Sequence, residues 1–173
     1  MEITSPLTLE KCLKLKAGDK VYLTGTIYTA RDQAHKRIVE TLQKGEIPPF
    51  PLENSIIFYV GPTPPKPHEA IGSAGPTTSY RMDSYTPYLL DRGLKGMIGK
   101  GERGQDVINS IIKNKAVYFL AVGGAGALLS SSILDAEVIA YPDLGPEAVF
   151  KLQVEKFPCY VAIDCDGGTL FNT

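Results

Sequence analysis

The sequence predicts an α/β fold: one domain spanning residues 1–173, built on a mixed β-sheet flanked by helices. Short apolar or alternating runs suited to strands recur between stretches with helical spacing. One such run, residues 116–122 (AVYFLAV), is apolar throughout, which marks a strand covered on both faces. There is no internal repeat, and no linker is long enough to divide 173 residues, a length that one hydrophobic core can serve.

Taken in order, residues 20–28 (KVYLTGTIY) alternate as a half-buried strand does. Thr29 is placed to cap a helix running to about residue 44, with Ala34, Ile38 and Leu42 on one stripe and Gly45 as its stop. Arg31 and His35 fall four apart near the start of that helix, on one face. Residues 47–51 (IPPFP) form an extended loop, 55–60 (SIIFYV) a compact strand, and 61–67 (GPTPPKP) a second stiff loop. A short strand is expected near 70–73, then a turn entered through Gly75 and Pro76, then a helix broken by Pro87. A strand at 95–98 leads through a glycine-flanked loop (99–104) into an amphipathic helix at 105–114. Beyond the apolar strand, Gly123-Gly124-Ala125-Gly126 turns into a small-residue helix ending near 131. Strands at 136–141 and 159–164 are separated by a helix over about 145–156.

Composition excludes several classes of function. The 18 basic and 19 acidic residues are mixed along the chain, with no basic run to follow a nucleic-acid backbone. No apolar stretch reaches the roughly 18–20 residues of a membrane span. The N-terminus, MEITSPLTLEKCLKLKAGD, lacks the charged-then-apolar order of a signal peptide, so a cytoplasmic location is expected. Cys12, Cys159 and Cys165 are too scattered for a disulfide framework or a usual iron–sulfur or zinc motif, and read as reduced, buried thiols. Two phosphate-like motifs are decoys. Gly123–Gly126 lacks the Walker lysine and the full dinucleotide spacing. The segment DCDGGT at 164–169 echoes the nucleophile motif of haloacid dehalogenase-like phosphatases, yet reads more simply as a hairpin turn.

The chemistry gathers in two neighbouring segments. GPTTSYRMD (75–83) and MIGKG (97–101) place two hydroxyls, an arginine, a carboxylate and a lysine on turn-like or helix-starting backbone. Thr77 and Thr78 are suited to capping a short helix whose free N–H groups would face an anion. Arg81, four residues past Thr77, would share its face. Arginine's planar fork matches a carboxylate, and Lys100 adds a point charge from a glycine-flanked loop. Such a set suits a small dicarboxylate. Asp83 reads as a partner for Arg81 or for the helix dipole, or as support for substrate. His35 could orient Arg31, while His68, in a proline-rich loop, has no cluster of partners.

These segments, with GTIYTARDQAHKR at 25–37, resemble the beta subunit of class I, iron–sulfur-dependent fumarate hydratase and the C-terminal domain of its single-chain relatives. The resemblance runs from about Thr24 to the C-terminus. The tartrate dehydratase beta subunit is the sister family; its motif tends to lack the proline and to end in glutamate, so Pro76 and Asp83 favour fumarase. The resemblance implies a swivelling β/β/α domain that interconverts fumarate and L-malate, a step of the tricarboxylic acid cycle. It implies an alpha subunit as partner, in a hetero-oligomer such as a dimer of alpha–beta pairs. It also implies a [4Fe–4S] cluster held by that alpha subunit, with none bound by this chain alone. By the same resemblance Arg31, Thr77, Arg81 and Lys100 contact substrate, with Thr77 in a position proposed for the base or proton shuttle; Thr78 would add a contact, and His35 and Asp83 would support. Two other readings stay open: the same chemistry on tartrate, and a non-catalytic carboxylate-binding or assembly module.

Overall fold

The computed structural model describes residues 1–121 and 129–171. Five strands run parallel in the order β1 (Glu2–Thr4), β2 (Lys20–Thr29), β3 (Ile56–Phe58), β4 (Gly96–Gly99) and β5 (Val117–Ala121). The 15-residue β7 (Val149–Ile163) then runs antiparallel to β5, to β2 and to β6 (Ile133–Ala140). Tyr160 pairs with Lys20 of β2 on one side and Leu120 of β5 on the other, so β2–β3–β4–β5–β7 closes on itself like a barrel. The mixed α/β architecture expected from the sequence is what forms.

Closure sorts alternate side chains into two cores. Ile56, Phe58, Val117, Phe119, Phe157 and Val161 fill one, with Phe58 edge-on to Phe157 at 5.2 Å. Ile57, Tyr59, Met97, Tyr118 and Ala162 face the other, beneath α2 (Asp32–Gln43), α3 (Thr86–Leu90) and α4 (Gln105–Asn114). The apolar run ending at β5 is therefore covered on both sides, as its composition requires.

Several local expectations are corrected. Thr29 caps nothing: it ends β2, fully buried, where its hydroxyl accepts from Phe150 N at 3.0 Å, and Arg31 takes the N-cap place of α2. No strand forms at 70–73; Gly72 N and Thr63 N instead tie two loop strands together. Pro87 opens α3 rather than breaking a helix, since a proline in the first turn has no intrahelical bond to lose. The stretch expected as a helix over 145–156 is a 3₁₀ turn (Pro142–Glu147) followed by the first half of β7. The strand β1 and the short α1 (Leu9–Leu13) were not anticipated. The turn at 123–126 lies outside the described residues. The DCDGGT segment is a turn after all: the Asp164 carboxylate accepts from Asp166 N, Gly168 N and Ala17 N, which leaves it tied to structure.

Candidate functional site

Parallel strands β2, β3 and β4 deliver their carboxyl ends to one edge of the sheet, where ligand sites of α/β folds are usually built. Arg31 lies two residues beyond the end of β2, and Lys100 directly follows β4. Between them the 75–83 segment returns across the edge. Thr77 N donates to Tyr59 O at 2.7 Å, Ser79 N donates to Lys100 O at 2.9 Å, and Thr78 and Lys100 form a parallel bridge. The 3₁₀ turn Ser79–Met82 then carries Arg81 over the start of α2, where its Nε meets Asp32 Oδ2 at 3.2 Å. The backbone thus brings Thr77, Thr78 and Lys100 together, and the ion pair brings Arg81 beside the residue next to Arg31.

This arrangement depends on close approach. A Cβ on Gly99 would collide with Ser79 Oγ and lie 2.8 Å from the Tyr59 ring, so only glycine lets the 75–83 segment lie on the end of β4. Gly61 plays the same part for Arg31, whose Nη1 would be 3.0 Å from an added Cβ.

Of the three cations, Arg81 meets a carboxylate, Asp32, while Arg31 directly precedes Asp32 in the chain. Thr78, Arg81 and Lys100 are exposed, Arg31 and Thr77 partly buried. Neither the apolar hollow of about 340 Å³ walled by Pro62, Pro64, Ile71, Val138 and Phe150 nor the smaller one beside Tyr80 and Gln105 takes a wall from these cations or from Thr77.

Three buried polar atoms at the start of α2 have no partner among the described residues: Arg31 Nε, Asp32 Oδ1 and His35 Nε2. His35 Nδ1 lies 2.8 Å from Arg31 O; a carbonyl only accepts, so Nδ1 carries the proton and Nε2 is left as an acceptor. Burial outweighs that bond and lowers the imidazole from 6.5 to about 4, so His35 is neutral at pH 7.

The geometry revises three sequence expectations. Asp83 pairs with Arg103, not Arg81: its Oδ1 accepts from Arg103 Nε at 2.7 Å and its Oδ2 from Gly104 N at 2.6 Å. Thr78 precedes the 3₁₀ turn without a side-chain cap, and the amides of Thr77 and Ser79 are already paired with Tyr59 and Lys100. Thr77 lies outside the turn that holds Arg81, so helical spacing does not put the two on one face. Sequence reasoning passed over Asp32 and Arg103. Each carried a signal: Asp32 directly follows Arg31, and Arg103 sits between glycines just after MIGKG.

The chain's own residues do not fit an iron–sulfur cluster. Cys12, Cys159 and Cys165 are all fully buried in the core, and burial raises all three, Cys12 to about 12, which favours the thiol over the thiolate that metals bind. Among the described residues no group of three histidine, cysteine or carboxylate side chains is placed to hold a metal ion.

Comparison with known proteins decides the lineage. The model of the fumarase C-terminus family matches residues 1–173. The chain belongs to that family. It is 40% identical to a Methanocaldococcus jannaschii protein provisionally named L(+)-tartrate dehydratase subunit beta, over 99% of this chain and 92% of that one. It is 35% identical to the aerobic class I fumarate hydratase of Salmonella typhimurium, over 99% of this chain but 30% of the relative. The L(+)-tartrate dehydratase subunit beta of Escherichia coli is 34% identical, over 97% of this chain and 85% of its own length. This fumarase C-terminus chain therefore spans most of a beta subunit and under a third of the Salmonella fumarate hydratase. The relatives' names describe adding water to a double bond or removing it, which is hydro-lyase chemistry.

Proposed function

We propose that the chain is the substrate-gripping half of a hydro-lyase that interconverts fumarate and L-malate, working with an alpha subunit that carries a [4Fe–4S] cluster. The observation that supports this reading is that Thr78 pairs with Lys100 at the carboxyl end of β4 while Arg81 meets Asp32, the residue after Arg31, just past the end of β2. A four-carbon diacid is negative at both ends. Removing water from malate takes a proton from carbon and builds charge on the neighbouring carboxylate, so cations already in place lower that barrier. Arg31 and Arg81 grip the carboxylates and Lys100 adds a third charge. Thr77 contacts substrate; its neutral hydroxyl is a weak base without an activating neighbour, and no described residue hydrogen-bonds it. The Lewis acid and the remaining acid–base groups are assigned to the partner.

Tartrate is the second reading, favoured by the tartrate dehydratase relative matched along 92% of its length. The Asp83 criterion does not weigh against it, because Asp83 bonds Arg103 and Gly104 and so reports on scaffold geometry. Anaerobic coexpression with the alpha subunit, followed by side-by-side assay of fumarate, L-malate and L-tartrate, separates the two. Turnover favouring fumarate and L-malate supports the proposal, turnover favouring tartrate replaces it, and a brown, assembled pair that turns over neither leaves a carboxylate-binding module.

A further inference from the structure

We propose that Arg103 is a positioning residue that locks the two substrate-bearing loops in register; this rests on the dicarboxylate reading above. Its side chain is fully buried. Besides Asp83, it donates through Nη2 to Thr86 Oγ1 at 2.8 Å and to Tyr59 Oη at 3.2 Å. The guanidinium lies 5.3 Å and 4.8 Å from the ring centres of Tyr59 and Tyr118. Tyr118 Oη, in turn, donates to Gly101 O at 2.7 Å and accepts from Ser79 Oγ at 2.7 Å, the carbonyl being able only to accept.

These bonds fall on both sides of the proposed contacts. In the first loop, Ser79 and Asp83 bracket Arg81 and follow Thr77 and Thr78. In the second, Gly101 directly follows Lys100 and Arg103 itself stands three residues past it. Arg103, Tyr118 and Asp83 thus connect each loop to the other and both to the sheet beneath. Apolar residues packed in place of the whole Arg103–Asp83 pair would stabilise the fold about as well as the buried ion pair does. They could not fix the loops' mutual position, because dispersion contacts are not directional and a charged fork with named acceptors is. Catalytic groups must be held to about 0.5 Å, and a displacement of roughly 1 Å can cost about a hundredfold in rate. Arg103 holds fast the register that the Thr78–Lys100 bridge sets.

Amide hydrogen exchange on this chain, with kcat and KM on the assembled pair, tests the inference in Arg103→Met, Arg103→Lys and Tyr118→Phe. Tyr118→Phe keeps the ring over the guanidinium and removes only the bonds to Ser79 and Gly101, so it tests the coupling of the loops even if the arginine variants do not fold. Exchange at 77–83 and 99–104 should quicken together, by about tenfold or more, while α2 is unchanged. KM for the diacid should rise about tenfold in the folded variants, and lysine should not rescue Arg103. Folded variants in which neither loop quickens, or one does alone, overturn the coupling. The exchange result stands whatever the substrate, so a wild-type pair that turns over no hydroxy-diacid defeats the functional proposal and leaves the coupling to be judged by exchange.

Discussion

Arg81 meets Asp32 through Nε, and its guanidinium donates no geometrically sound hydrogen bond to any described residue. An arginine held at its inner nitrogen is aimed without being used up, which is what a carboxylate grip needs. Lysine at the same place keeps the charge and loses both the fork and the Nε handle. His35 makes a second, separable statement. Its pKa falls on folding from 6.5 to about 4, so the unfolded chain takes up a proton that the folded one refuses. Its contribution to stability is complete above pH 6.5 and is lost as pH falls toward 4. Urea melts at pH 7 and 4.5 should show roughly 2 kcal/mol more loss for the wild type than for His35→Gln; equal losses would contradict a buried, neutral imidazole. Residue types and their grouping were legible in GPTTSYRMD and MIGKG. Their partners were not: Asp83 stands two residues from Arg81 and twenty from Arg103, and only the fold reveals that it bonds the distant one.

At the scale of elements, the carboxyl edge exists because β2, β3 and β4 run parallel and the 75–83 segment lies flat on the end of β4. Gly99→Ala should break that contact, since the new methyl meets Ser79 Oγ, itself bonded to Tyr118. A loss of about 1–3 kcal/mol in stability is expected, with KM for the diacid raised; a variant of unchanged stability and KM would show the approach to be unimportant. Most strands were legible from alternation and apolar runs. The 145–156 segment was not, because Glu147, Lys151, Gln153, Glu155 and Lys156 are mostly good helix formers. Pairing overrides that preference: residues 149–154 bond β6 on one side while 151–154 bond β2 on the other. The polar residues of β7 tolerate this position because Lys151 and Gln153 remain half-exposed and Glu155 and Lys156 fully exposed.

For the molecule as a whole, three observations support the proposed division of labour with a partner. Arg81 and Lys100 are exposed, the thiols are sealed in the core, and the chain spans under a third of the class I fumarate hydratase of Salmonella. The purified chain alone should therefore form no malate from fumarate, and malate formation by it without a partner would contradict the division of labour. The mixed sheet was readable in outline from the alternation of strand-like and helical runs; the closure of the sheet by β7 was not, because its first half carries helix-forming residues and reads as a helix. The most direct test is the rate of fumarate hydration by the anaerobically assembled alpha–beta pair carrying Arg81→Lys. The account predicts a loss in kcat/KM on the order of a hundredfold or more, with assembly and melting temperature unchanged. Near-normal turnover would show that Arg81 does not grip the substrate.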